Sequence, residues 1–327
     1  MTPDARSGDR VAARQGGAVR GLALAAGSAL CFALSGPLAR GLLETGWTPA
    51  TVVLIRIGLA ALVVLPFGVR ALRGDYSPLR REWRTVVLYG VLAVAGAQFC
   101  FFSAVAHMAV GPALLIEYTA PAAVVLWLWL RQGQRPGPLT LVGAGVAALG
   151  LVLVLDVVGG GSSGSTVGVL WSLGAMVGAA AYFVISAETD NGLPPITLAA
   201  GGLVTGGLAL TALSAAGLLR MGAATEPAVY AGTSVPWWAP LLALGLVTAA
   251  TAYVLGIMAT RLLGSRLASF VALLEVVAAV VFAWLLLDEL PRPVQLLGGA
   301  LILGGVIAVK LGERTVRVAE TPAPVLP

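Results

Sequence analysis

Apolar runs, each about as long as a bilayer is thick, recur along the chain at 21–39, 48–70, 85–107, 111–131, 138–156, 166–187, 194–219, 237–261, 266–287 and 294–312. At 1.5 Å per helical residue, about twenty residues cross the hydrocarbon core. Each run therefore predicts a membrane-spanning α-helix. The third and fourth are parted only by a short turn near Val110-Gly111-Pro112, where glycine and proline mark the break. The pattern predicts an all-α integral membrane protein of about ten transmembrane helices.

The basic residues between the runs orient these helices. With the N-terminus in the cytoplasm, alternate connections hold sixteen Arg and Lys, from Arg6, Arg10, Arg14 and Arg20 at one end to Lys310, Arg314 and Arg317 at the other. The intervening connections hold three, Arg40, Arg220 and Arg292, and Arg56 lies inside a span. That asymmetry predicts cytoplasmic termini and residence in the cytoplasmic membrane. The connection at 188–193 breaks the rule with Glu188 and Asp190. Residues 1–20 resemble the front of a signal peptide, but the run behind them is long enough to span and carries Ser35-Gly36-Pro37, so an uncleaved first helix is expected.

Composition narrows the class further. Hydrophobic residues make up 58% of the 327 and charged residues 11%, against roughly 25% charged in a soluble domain. Water could not cover such a surface, so the lipid bilayer is the expected solvent. A sequence pI near 9.7 could suggest nucleic acid, but the arginines punctuate the spans and form no single face, so no nucleic-acid partner is expected. Cys31 and Cys100 sit in apolar runs with neither metal-ligand spacing nor a disulfide framework, and no metal or cofactor is expected.

Gly159-Gly160-Gly161-Ser162-Ser163-Gly164-Ser165 reads as a flexible linker near the midpoint. A shift of 155 positions aligns the two halves: Gly90 with Gly245, Trp129 with Trp284, Pro136 and Pro138 with Pro291 and Pro293, Gly143 and Gly150 with Gly298 and Gly305. The expected organisation is a tail at 1–20, a first repeat at 21–157, a linker at 158–165, a second repeat at 166–312 and a tail at 313–327. Each repeat holds five spans, an odd number, so equivalent helices cross in opposite directions. Such inverted repeats rock about a central site in many secondary transporters.

Two segments carry a family resemblance. Ala104 to Val154, and more closely Ala259 to Val309 with Leu274-Glu275, Leu287-Asp288-Glu289 and Gln295-x-x-Gly298, resemble the ends of EamA-type domains of the drug/metabolite transporter superfamily. Arg56 in Leu54-Ile55-Arg56-Ile57 resembles an arginine of the family's second span. Ile116-Glu117-Tyr118-Thr119-Ala120-Pro121 is similar to the branch that exports threonine and homoserine. The resemblance implies a ten-helix fold and export of amino acids, other metabolites or drugs. Two departures are Glu275-Val276 in place of Glu-Pro, and Gly133-Gln134 where an acidic residue is common.

By span position, Arg56, Glu117 and Glu275 are the ionisable Asp, Glu, Lys or Arg residues that fall within the bilayer. A charge there costs roughly 2.5–3.5 kcal/mol on insertion scales, so each must face a cavity or a partner. Either glutamate could take a substrate ammonium or a proton, and Arg56 a substrate carboxylate. The structural alternative is an ion pair of Arg56 with a glutamate that fixes packing. His107, the sole histidine, ends the third span, where an interfacial hydrogen bond competes with a proton relay. Tyr118, Trp171, Tyr182 and Tyr253 are candidate cavity walls, with belt positions as the alternative. Glycines on spans five and ten, and Ser265, Ser269, Ala272 and Ala279 on span nine, suit close helix packing.

The expected function is export of a small organic solute across the cytoplasmic membrane by alternating access, proton-coupled if a glutamate titrates, by a monomer or homodimer. A lipid or lipid-linked-sugar flippase is the neighbouring reading. A membrane enzyme is the reading from another class; no H-E-x-x-H or nucleotide-binding loop supports it, and the glycine-serine string at 159–165 reads as a flexible linker rather than a nucleophile site.

Overall fold

A computed structural model describes residues 19–132, 136–154, 165–186 and 192–319. Among these, seven helices are long and apolar enough to cross a membrane and three shorter apolar helices complete ten. They are α1 (Val19–Glu44), α2 (Pro49–Ala71), α3 (Trp83–Val105), α4 (Val110–Glu117 and Ala120–Gln132), α5 (Pro138–Val154), α6 (Thr166–Ser186), α7 (Pro195–Ala215), α8 (from Trp238), α9 (Leu274–Leu287) and α10 (Pro293–Ala319). The expected linker lies mostly outside the described residues, as do most of the N-terminal tail, the end of the C-terminal one, Glu188 and Asp190.

Several boundaries depart from the hydropathy pattern. Helix α10 continues to Ala319 through residues assigned to a tail, because a polar helix projecting from a membrane keeps its own backbone bonds. The expected turn between spans eight and nine is helical instead: backbone helix runs over Ala252–Val271 and breaks at Ala272–Leu273. Arg261 and Gly264 to Arg266 lower hydropathy without stopping a helix, since no proline stands there. The side chains of Ser265 and Ser269, assigned to a packing face, are outside the described residues.

Helices α5 and α10 pack closely through glycine. A Cβ on Gly150 would lie 2.6 Å from the Gly298 carbonyl oxygen, and one on Gly143 would lie 2.7 Å from that of Gly305. These contacts run in opposite directions along the two helices. The partners are also exchanged equivalents, because 143 and 150 become 298 and 305 under the 155-residue shift. Contact of i with the image of j, and of j with the image of i, is the mark of a two-fold relation. Since the paired helices are antiparallel, the repeats are inverted. Helices α2 and α7 also meet antiparallel, with Thr197 Oγ1 donating to the Gly68 carbonyl at 2.8 Å and Ile57 beside Gly207.

Irregularities recur at matching places. A π-helical stretch occupies Tyr89–Gly96 in α3 and another Ala243–Thr251 in α8. Helix α4 breaks at Tyr118–Thr119, and its counterpart breaks at Ala272–Leu273. Widened turns and breaks free backbone groups, and such features concentrate at functional sites.

At the end of the bundle expected to face outward, β1 (Ala228–Tyr230) pairs antiparallel with β2 (Thr233–Val235). Ala231 and Gly232 both have positive φ, 50° and 74°, as a two-residue hairpin turn of the right twist needs. The Ala231 N–H donates to the Leu286 carbonyl at 2.8 Å, and the Tyr230 hydroxyl donates to the Leu38 carbonyl at 2.7 Å. The hairpin thereby ties α9 to α1. Burial pushes the Tyr230 hydroxyl's pKa up, with the nearby Glu44 charge acting the same way.

Candidate functional site

The two helix breaks meet across the repeats. Tyr118, in the break of α4, donates its hydroxyl at 2.7 Å to Oε2 of Glu275, which lies in the first turn of α9 directly after the break that precedes it. Glu117 closes the first half of α4, and its carboxylate is within Coulombic reach of both Glu275 and Arg56. Glu117, Tyr118 and Glu275 are half-buried.

Arg56 forms the basic end. It projects from α2 and is only 4% exposed. One amino group, Nη2, donates to the Thr248 carbonyl at 3.1 Å, and the guanidinium carbon lies 5.3 Å from the centre of the Phe102 ring. Thr248 belongs to the π stretch of α8, so widened helical register supplies the acceptor. Arg56 Nε is buried without a hydrogen-bond partner among the described residues. An unpaired buried donor on a cation costs roughly 1–3 kcal/mol or more, so the site holds unspent capacity for an anionic acceptor. Gln98 Oε1, one helical turn before Phe102, is likewise buried and unpartnered.

Aromatic side chains surround these charges. Tyr253 and Tyr182 are both within Coulombic reach of Glu275. Tyr253 packs edge-on against Phe32 with centroids 5.3 Å apart, and Tyr182 tilts against Tyr89 at 5.9 Å. Trp171 packs edge-on against Phe99 at 5.4 Å. The fold therefore brings Arg56, Glu117, Tyr118, Tyr182, Tyr253 and Glu275 together. His107 is elsewhere: it is exposed in the turn after α3, with Nδ1 2.7 Å from the Ser103 carbonyl oxygen. Sequence reasoning missed Phe102 and the Thr248 carbonyl, which carry no charge or motif to single them out. No group of three or more His, Cys, Asp or Glu that could hold a metal occurs among the described residues.

The model of the EamA-like transporter family matches residues 19–156 and again 166–311, one copy per repeat. The chain belongs to the EamA-like transporter family. It is thus a multi-pass membrane transporter and not an enzyme. Among its relatives, the threonine/homoserine exporter RhtA of Escherichia coli K12 is 27% identical over 266 residues, covering 79% of each chain. A probable terminal-alkyne amino-acid exporter of Streptantibioticus cattleyicolor is 28% identical over 267 residues, covering 80% of this chain and 83% of that one. An uncharacterized transporter of Archaeoglobus fulgidus is 26% identical over 264 residues. A crystal structure at 22% identity covers 92% of this EamA-like chain with a TM-score of 0.55, which bears on the fold alone.

Proposed function

We propose that this EamA-like protein exports a small amino acid from the cytoplasm, with the ammonium held by Glu275 and Glu117 and the carboxylate by Arg56. The observation that carries the reading is the Tyr118–Glu275 bond across the two helix breaks, with Glu117 and Arg56 in Coulombic reach. Two carboxylates and one guanidinium sum to one net negative charge. A zwitterion offers complementary ends to both poles, and a proton shared with a glutamate would balance the remainder. The relatives that export amino acids support the substrate class.

Transport proceeds by alternating access. The antiparallel α5–α10 crossing forms a fixed seam, and the remaining helices of each repeat rock about the site. Both termini lie in the cytoplasm and the protein resides in the inner membrane, in keeping with the arginine asymmetry. The working unit is a monomer or homodimer.

Reconstituted into proteoliposomes, the wild-type protein should carry radiolabelled threonine, homoserine or another small amino acid, faster with a proton gradient across the membrane. Glu117→Gln and Glu275→Gln should each reduce flux at least tenfold while remaining monodisperse. Flux independent of the gradient would leave the substrate class standing and remove proton coupling. Lipid scrambling without solute flux would overturn the reading in favour of a flippase.

A further inference from the structure

At the end of the bundle where the hairpin sits, four elements converge on one charge pair. Arg40, near the end of α1, donates from Nη1 to the carbonyls of Val105 and, at 3.3 Å, Met108, the last turn of α3 and the turn beyond it. Its Nε lies 2.7 Å from Glu44 Oε1 and 3.9 Å from Glu289 Oε1. Glu289 Oε2 in turn accepts the N–H of Val110, the first residue of α4, at 3.0 Å. A cation thus closes the carbonyl end of α3 and an anion the amide end of α4, each matching the helix dipole it meets.

Local backbone sets Glu289 in place. Asp288 caps α9 in the left-handed conformation with φ 57°, and the Glu289 N–H returns to the Ala283 carbonyl at 3.2 Å. Asp tolerates that conformation better than most side chains, and the resulting tight cap folds Glu289 back over the helix ends. Arg40 and Glu289 side chains are 24% and 21% exposed, at the edge of water. Glu44 is 57% exposed and one turn further along α1. Arg40 is already bonded to Glu44 and keeps that partner when Glu289 moves away, so opening leaves the guanidinium paired.

We infer that Arg40 and Glu289 form the outer gate of the transporter, with Glu44 as the anion that Arg40 keeps when the gate opens. The contact joins α1, the α3–α4 turn and α4 of one repeat to the α9–α10 connection of the other. It is made and broken as a unit when the repeats rock. That the gate faces outward rests on the topology proposed above.

Labelling of Ser35→Cys, in a chain with Cys31 and Cys100 replaced by serine, tests the inference. Ser35 is 5% exposed and lies five residues inward of Arg40 on α1. In right-side-out proteoliposomes, a membrane-impermeant maleimide added outside should label it slowly in the otherwise wild-type protein. Arg40→Gln and Glu289→Gln should each speed labelling about threefold to tenfold. Glu44→Gln should slow it about twofold or more, because the open state then loses its anion. Glu289→Gln carries the same test should Arg40→Gln fail to fold. Unchanged rates in Arg40 and Glu289 variants with a lowered Tm would make the pair a static staple and overturn the gate. Faster labelling in Glu44→Gln would overturn the role of Glu44 as the anion that holds Arg40 in the open state. Labelling confined to reagent inside the vesicles would refute the proposed topology, and with it the outward placement.

Discussion

Consider adding one methyl group at Gly298. The new Cβ would lie 2.6 Å from the Gly150 carbonyl oxygen and 2.8 Å from the Val154 nitrogen, both backbone atoms that no rotamer change can move. Ordinary contact begins near 3.4 Å, so α5 and α10 must separate by about 0.8 Å along their seam. Overpacking of this kind costs about 1–3 kcal/mol. The same helix provides its own control, because a Cβ on Gly304 meets nothing within 4 Å. There, alanine gains up to about 1 kcal/mol of helix propensity. Gly298→Ala and Gly304→Ala share that propensity gain, so their difference isolates the crossing at roughly 2 kcal/mol. In a thermal melt of the purified protein followed by size-exclusion fluorescence, that difference corresponds to about 5 °C in apparent Tm. Gly150→Ala combined with Gly298→Ala should cost less than the sum of the two, since one separation relieves both. Equal melting of the Gly298 and Gly304 variants would refute the backbone-to-backbone seam.

Other outcomes follow from single contacts. Tyr230→Phe removes the hydroxyl bond to the Leu38 carbonyl and should lower stability by about 1 kcal/mol, read in the same melt. Arg56→Lys keeps the charge but loses the stacking over Phe102 and the fork-shaped donor set, so it should fold yet carry substrate at least tenfold more slowly in proteoliposomes. Burial raises the Glu289 carboxyl's pKa, while the Val110 N–H and Arg40 pull it down and Glu44 adds repulsion. A group raised on folding contributes stability that is present at low pH and lost as pH rises through its folded pKa. Glu289→Gln should therefore flatten the pH dependence of Tm on the acid side of neutrality, read against the wild type over the same pH range.

Hydropathy resolved the spans because lipid leaves the backbone few alternatives to a helix. The repeat was legible through residues whose chemistry is rare in an apolar chain: paired Trp129 and Trp284, 43% and 48% exposed where lipid would lie, and glycines that meet across the α5–α10 seam. Arg56, Glu117 and Glu275 could be singled out because a charge within the bilayer is costly. Their arrangement could not. Tyr118 reaches Glu275 only through two helix breaks, of which Pro121 marks the first and neither proline nor glycine marks the second, and Thr248 accepts from Arg56 only because α8 widens into a π stretch. Both depend on tertiary packing of apolar segments whose local sequence is compatible with an ordinary α-helix. Arg40 and Glu289 escaped for a different reason. The hydropathy pattern places both outside the spans, where charge costs little, and their partners are backbone groups supplied by distant helices.

The central claim, that an amino acid binds between Arg56 and the two embedded glutamates, is tested most directly by equilibrium binding of tritiated threonine or homoserine to the purified protein. Saturable binding is expected in the wild type, weakened at least tenfold in Arg56→Lys, Glu117→Gln and Glu275→Gln alike, with all three variants monodisperse. Binding that is undiminished when both glutamates are replaced would contradict the account.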